Sequence, residues 1–347
     1  MAFTVEEIVV PAEVTADWTA MVRLRNDVVA ELVGNRDLSR EPAELLPGWQ
    51  NPHEVKRGVL ARVDGEIVGR GVYETESDAS AAWVSIEVLP AFRGQGIGAA
   101  LHERLLAYAR EEGKTSMQKY VTEAVSDTED VIPSPTGFGS VPRDTRSSRF
   151  LLKHGYLLEQ VGRMSRLDLP VDVSDALQSA RDAAGPDYTV VTYTGRTPEH
   201  LLEDMALLRQ SMGTDAPSAG MDTESIWTAE RVRADDDAAE LSPRTMLYAM
   251  VHHAPSGEVA GYTELDVPPE TDRTVAQGDT IVVKAHRGHR LGMLMKAQNL
   301  VALRTLRPEL ERLHTWNAEE NRHMLSINEA LGFAPTGVVA LWQKRVA

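Results

Sequence analysis

The chain of 347 residues contains no cysteine. That absence excludes disulfides, thiolate metal sites and a cysteine nucleophile, and it fits a cytoplasmic setting. No apolar run approaches the roughly 18 residues that a membrane span needs, and Met1 to Glu7 lack the basic and apolar regions of a secretory signal. Neither export nor membrane insertion is expected. Basic residues are in deficit, with 36 Lys and Arg against 52 Asp and Glu and a formal charge of −16. Such a surface repels nucleic-acid backbones, favours solubility and draws cationic amines. The remaining composition, 42% apolar and 25% charged, is that of a globular chain long enough for two domains.

A repeated order of elements organises the chain. β-prone runs from Val59 to Val63 and Glu66 to Tyr73 flank the turn Asp64-Gly65, a hairpin signature. A strand over Ala82–Leu89 leads through a glycine cluster into a helix with Leu101, Leu105 and Tyr108 on one face. The order returns with strands over Met246–His252, Glu258–Val267 and Gly278–Val283, a second loop, and a helix with Leu294, Ala297 and Val301 at helical spacing. The loop residues Arg93 and Arg287 differ in number by 194, the offset expected of a duplicated domain. Turn-prone clusters at 170–175 and 183–187 place a joint near Pro186, giving domains 1–185 and 186–347. The acidic run Asp235–Asp237 and the segment Ser126–Thr145 read as loops, the latter a candidate lining for a cleft.

The chemistry is concentrated in the two strand-loop-helix units. The first, Val88-Leu89-Pro90-Ala91-Phe92-Arg93-Gly94-Gln95-Gly96-Ile97-Gly98, turns through three glycines, which lack Cβ, into a helix N-terminus, where free N–H groups and the helix dipole stabilise a pyrophosphate. Its glycine spacing matches neither the dinucleotide fingerprint nor the P-loop. The second, Val282-Val283-Lys284-Ala285-His286-Arg287-Gly288-His289-Arg290-Leu291-Gly292, has arginine at the middle glycine, with Lys284, Arg287 and Arg290 as candidate phosphate partners. His286, His289, His252, His253 and His323 show no metal-site spacing, so no metal is expected.

The pattern Arg-x-x-Gly-x-Gly at Arg93, Gly96 and Gly98 resembles the coenzyme A signature of the GNAT superfamily of N-acetyltransferases. The segment from Thr315 to Phe333, ending in Leu-Gly-Phe, is similar to the family's strand-to-helix region, with Asn321 at the position of a coenzyme A contact. The first copy has a shorter echo from Arg149 to Tyr156. The resemblance implies an α/β (α+β) fold of two tandem domains, each a mixed, mainly antiparallel sheet flanked by helices. It also implies acetyl-CoA as co-substrate and direct transfer to an amine. The cofactor-binding residues it marks are Val88, Leu89, Arg93, Gly94, Gln95, Gly96, Ile97 and Gly98 in the first copy. In the second they are Val282, Val283, Arg287, Gly288, His289, Arg290, Leu291, Gly292 and Asn321. A backbone N–H such as that of Val88 or Val282 is the implied donor to the thioester carbonyl.

The tyrosine that the family often uses as acid is replaced by Asn328 and Leu151, of which only Asn328 retains a donor. A general base requires a carboxylate or an ordered water near the strands. Glu264 and Asp279 are the candidates in the second copy and Glu87 in the first; each has the plainer alternative of a solvent-facing strand or turn residue. Trp316 and Trp342 are expected in the core. The resulting expectation is an N-acetyltransferase acting on a small-molecule amine or peptide, without nucleic-acid or membrane partners, as a pseudo-dimeric monomer or a homodimer. Chemistry is expected in the second copy. An antibiotic or small-amine resistance enzyme and a non-catalytic acyl-CoA sensor or scaffold are the alternatives.

Overall fold

A computed structural model describes residues 2–76, 79–215, 217–222 and 226–346. The elements of its first part are β1 (Thr4–Glu7), α1 (Ala16–Val33), α2 (Pro42–Gln50), β2 (Glu54–Val63), β3 (Glu66–Glu76), β4 (Ala81–Val88), α3 (Ile97–Glu111), β5 (Ser116–Ala124), β6 (Val131–Pro133), β7 (Ser140–Pro142), α4 (Arg146–Lys153) and β8 (Leu157–Asp168). Then follow α5 (Ser174–Ala184), β9 (Tyr188–Thr194), α6 (Leu202–Asp215), α7 (Ala229–Leu241), β10 (Thr245–His253), β11 (Glu258–Val267), β12 (Val275–Val282), α8 (Leu291–Leu306), β13 (Arg312–Ala318), α9 (Arg322–Ala330) and β14 (Ala334–Arg345). The chain forms two compact units, Met1–Gly162 with Ser218–Ser225 and Gly337–Ala347, and Arg163–Pro217 with Ile226–Thr336. The sequence joint at 185/186 marks where the repeated pattern restarts, whereas the contacts divide at 162/163. The difference arises because α5 buries Leu177, Ala180 and Ala184 in the core of the second unit.

In the first unit the strands run β1-β2-β3-β4-β5-β14. The pairs β2/β3, β3/β4 and β5/β14 are antiparallel, and β4/β5 is parallel. The β2–β3 turn is Asp64-Gly65, both at positive φ (50° and 87°), the type I′ geometry that suits the twist of paired strands. One sheet face packs against α3 and α4 through Ile97, Leu101, Leu105 and Leu151, with Trp342 fully buried as expected. The other face packs against α1 and α2 through Trp18, Met21, Val22 and Leu46. Burying each such side chain contributes about 1.5–3 kcal/mol.

The second unit repeats the plan with strands β13-β12-β11-β10-β9, where β12/β13 is parallel and the other pairs are antiparallel. α5, α8 and α9 share a core on one face through Leu177, Leu294, Leu300 and Ile327. α6 and α7 cover the other through Met205, Leu208 and Val232, packed with Tyr248 and Tyr262. The expected apolar face of α8 needs one correction. Leu294 and Ala297 are buried, but Val301 is 40% exposed, and Leu300 and Leu303 take the inward positions. In α9 Leu325 and Ile327 are buried and Met324 less so, and the buried C-cap Leu331 is followed by Gly332 at φ 96°.

Three further expectations change. The acidic run Asp235–Asp237 lies inside α7, because Thr228 caps the helix and the buried Asp236 accepts the Thr197 N–H at 2.9 Å. The segment Ser126–Thr145 contains the β6–β7 hairpin, which turns through Gly137 and Gly139 at positive φ. With β5 and β14 the hairpin encloses a small cavity lined by Val121, Thr128, Val131, Val141 and Val338. Trp316 is 49% exposed and stacks on His314 rather than entering the core.

Candidate functional site

Each unit carries a loop that leaves a strand, makes one 3-10 turn and enters a helix. In the first, Gly94 and Gly96 adopt φ of 75° and 89°, and Gly96 is the N-cap of α3 with no side-chain capping bond. No atom lies within 4 Å of where a Cβ would stand at either glycine. The glycines are therefore required by the backbone turn, and the space beside them is open for close approach of an anion. Gly98 is needed for packing, since a Cβ there would meet the Phe150 ring of α4 at 3.3 Å. The backbone of this turn fits a pyrophosphate.

The second loop follows the same course with a different cap. Gly288 takes φ 90°, and Arg290 occupies the left-handed region at φ 54°, ψ 24° in place of the first copy's Gly96. A non-glycine residue there costs about 1–2 kcal/mol. Gly292 repeats the packing of Gly98, with Ile327 at 3.3 Å from a Cβ.

The signature arginines brace these loops. Arg93 Nε donates to Val88 O at 2.6 Å, and its two terminal nitrogens grip the Glu31 carboxylate on α1. Arg287 Nε likewise donates to Val282 O at 3.0 Å, and Nη2 to Asp215 Oδ2 at 2.8 Å, with Lys284 also 3.5 Å from Asp215. Arg290 donates to Ser179 Oγ at 2.7 Å. The three cations considered as phosphate partners in the second loop thus all have protein partners. His286 lies between Tyr188 Oη (2.9 Å) and Glu258 (3.2 Å), and the His289 ring rests 5.1 Å from Tyr188.

Beside each loop two parallel strands separate. β4 pairs with β5 only from Ala81 to Trp83, and β12 with β13 only at Val275 and Ala276. The later residues of β4 and β12 therefore have no ladder partner on that side, which leaves main-chain groups able to bond an extended ligand arm. Val88 and Leu89, and Val282 and Val283, stand at the ends of these open edges.

The second unit brings Glu264 and Asp279 together. Thr263 pairs with Thr280 and Leu265 with Gln277, so Glu264 faces two residues, Gly278 and Asp279, at a bulge in β12. Glu264 Oε1 accepts the Asp279 N–H at 3.4 Å, and its side chain lies so close over Gly278 that a Cβ would come within 2.6 Å of Oε1. Asp279 Oδ2 accepts from Tyr262 Oη at 2.9 Å, and Tyr248 is the cross-strand neighbour of Glu264. Glu264 keeps some exposed surface, yet protein surrounds its carboxyl enough for burial to dominate. Burial first, and then the Asp279 charge, push it up to about 7, against a smaller downward pull from Arg209. Arg209 on α6 is itself held by Asp235 at 3.0 Å and lies 4.7 Å from the Trp227 ring.

Glu87 in the first unit has the opposite surroundings. It is 8% exposed and accepts from Arg70 Nε at 2.8 Å. Burial would raise it, but Arg70, Lys119 and Arg25 together hold it below the ordinary carboxylate range. Neither solvent exposure nor a free carboxylate describes it.

The two asparagines have local partners. Asn321 caps α9, accepting the Met324 N–H at 3.2 Å. Asn328 is 2% exposed and its side-chain amide donates to Asn317 Oδ1 at 2.7 Å, while its own Oδ1 has no partner among the described residues. Arg209, Tyr248 and Tyr262 were not foreseen. Alternation along β10 and β11 puts both tyrosines on the face of Glu264, a signal present in the sequence, whereas nothing local marks Arg209.

Residues 21–128 match the model of the acetyltransferase (GNAT) family. Over 100% of its length the chain is similar to 99% of a tandem GNAT protein from the clavulanic acid biosynthesis pathway, with TM-score 0.76 and 24% identity. A GCN5-related N-acetyltransferase from Sphaerobacter thermophilus gives TM-score 0.62 at 18% identity, covering 99% of this chain and 96% of that one. A putative acetyltransferase from Pyrococcus horikoshii gives 0.54 at 12% identity, covering 99% and 90%. No curated protein matches the sequence. The fold is similar to that of the tandem GNAT protein along the whole chain, and the match to the GNAT family model covers residues 21–128.

Proposed function

We propose that the chain is an acetyl-CoA-dependent N-acyltransferase whose chemistry resides in the second unit, with Glu264 as general base. The observation that carries this reading is the contrast in carboxylate environment. Glu264 sits beside another acid at a strand bulge and titrates near neutrality, whereas Glu87 is locked in an ion pair with Arg70. A base is most effective when its pKa lies near the working pH.

Acetyl-CoA supplies the acyl group as a thioester when bound. The second loop would hold its pyrophosphate through the backbone N–H groups that open α8, with Arg287 bracing the loop from behind. The unpaired edge of β12 at Val282 and Val283 would orient the arm and supply an N–H toward the carbonyl oxygen. The acceptor amine arrives as a cation, favoured by the net charge of −16 and by the paired acids Glu264 and Asp279. Glu264 takes the ammonium proton at a carboxylate oxygen. Asp279, fixed by Tyr262, keeps the Glu264 carboxyl basic enough to do so. Asn328, whose amide is engaged with Asn317, is not assigned the role of acid.

The first unit is assigned acetyl-CoA binding or support of the fold without turnover, because its loop is open but its carboxylate is neutralised by three cations. A screen of cationic amines for thiol release tests the whole reading. Glu264→Gln should lower kcat/KM by about 10²–10⁴-fold, with Glu87→Gln close to wild type per folded molecule. Tight acyl-CoA binding without thiol release from any amine would favour the sensor alternative.

A further inference from the structure

Away from the proposed catalytic cluster, the first unit gathers a second group of titratable side chains, of which His102 is buried, His154 half-buried and Glu103 exposed. His102, one turn into α3, is 1% exposed, and neither of its ring nitrogens has a hydrogen-bond partner among the described residues. Leaving a buried polar atom unpaired costs on the order of 1–3 kcal/mol, so two such atoms on one ring call for a ligand. His154, the C-cap of α4, places its ring centroid 4.4 Å from that of His102. Glu103 Oε1 lies 3.9 Å from His102 Nδ1, and the ligating atoms of the three residues all fall within 4.8 Å of one another. The buried hydroxyl of Tyr156, whose ring is 5.8 Å from His102, also lacks a partner.

The second copy shows what these residues replace. The loop offset of 194 sets Lys296 at the place of His102 and Ala297 at that of Glu103. The helix-ending glycines Gly155 and Gly332, which differ by 177, set Leu331 at the place of His154 and Phe333 at that of Tyr156. Every potential ligand is lost together, and a lysine only 2% exposed, 5.8 Å from the Phe333 ring, stands where His102 does. One copy carries a buried lysine amine at the position where the other gathers imidazole and carboxylate donors.

We propose that His102, Glu103 and His154 bind a divalent transition-metal ion of the zinc class, which ties α3 to α4 beneath the first glycine loop. Two imidazoles and a carboxylate are a donor set that zinc accepts. Ligand bonds of about 2.0–2.2 Å require the donor atoms to close to roughly 3.3–3.6 Å, a small side-chain movement. A metal takes the lone pair of an unprotonated imidazole, and both His102 ring nitrogens are without a hydrogen-bond partner among the described residues. Lys344, bonded to His154 O at 2.8 Å, limits the affinity, and the Glu103 charge offsets it. The other histidine group is unlike this one: both ring nitrogens of His286 already face Tyr188 and Glu258. A clamp at 102 and 154 lies one turn from the Gly98–Phe150 contact and would fix the helix that presents the loop.

The test uses the full chain stripped with chelator and titrated with Co²⁺, read by visible absorption, and with Zn²⁺, read by calorimetry and thermal melting. One equivalent should bind, give ligand-field bands of a nitrogen-and-oxygen site, and raise Tm. His154→Leu, which copies the second unit, and His102→Gln should each weaken binding by at least about tenfold and abolish the Tm increase, while Lys296→Ala leaves metal binding unchanged. Absence of saturable binding by the wild type, or equal binding by the wild type and His154→Leu, overturns the proposal. The leucine already tolerated at position 331 makes His154→Leu a fold-safe variant even if His102→Gln is not.

Discussion

The two units share a frame and differ in the charge placed around their carboxylates. In the first, one glutamate, Glu87, is surrounded by Arg70, Lys119 and Arg25; in the second, Glu264 shares its site with Asp279, Tyr248 and Tyr262, and Arg209 is the cation that opposes them. The backbones agree down to a brace of arginine on the last strand carbonyl, at Arg93–Val88 and Arg287–Val282. The two units keep the same loop and brace, and what differs is the side chains that meet the strand carboxylate.

The largest effect that could break this contrast concerns Glu87. Removing one member of a buried ion pair leaves the other charge uncompensated, so Glu87→Gln should destabilise the first unit by about 3–5 kcal/mol, measured by urea unfolding near neutral pH. Because the folded form holds Glu87 below its usual range, this contribution is present above the unfolded pKa and fades as pH falls through the lower folded value. A neutral result would show that Arg70 finds another partner. Next, Tyr262→Phe removes the 2.9 Å bond to Asp279 and should cost about 1.5–3 kcal/mol, again by denaturant unfolding.

Glu264→Gln should act in the opposite direction from Glu87→Gln. The folded state binds the Glu264 proton more tightly than the unfolded state, so ionisation destabilises the protein as pH rises from about 4.5 through about 7. The amide should therefore raise stability at pH 8 by an amount on the order of 1 kcal/mol, discounted for partial exposure, and the gain should vanish in acid. Loss of stability at pH 8 would contradict the assigned environment. The smallest effect is at the second loop. Arg290→Gly relieves a left-handed backbone but adds unfolded-state freedom, so a net gain below about 1 kcal/mol is expected, seen as a slightly raised Tm.

Much of this frame was legible in the sequence. The Asp64-Gly65 turn, the two glycine loops and the 194-residue offset are local signals, each fixed by backbone sterics or periodicity. What escaped depends on contacts distant in sequence. Asp235–Asp237 reads as a solvated run until Thr197 is seen to bond Asp236 across 39 residues. The roles of Arg93 and Arg287 depend on acids at Glu31 and Asp215, which no loop pattern contains. The choice between Glu87 and Glu264 turns on Arg70 and Asp279, partners set by strand register and by a bulge. Alternation in a strand reports which face a side chain takes and is silent about what meets it there.

The pH dependence of kcat/KM, measured on wild type, Glu264→Gln and Glu87→Gln with one amine acceptor, tests the central assignment most directly. An ascending limb with a midpoint near 7 is expected in wild type, retained in Glu87→Gln and lost in Glu264→Gln together with about 10²–10⁴ of the rate. An unchanged limb in Glu264→Gln, or its loss in Glu87→Gln, would contradict it.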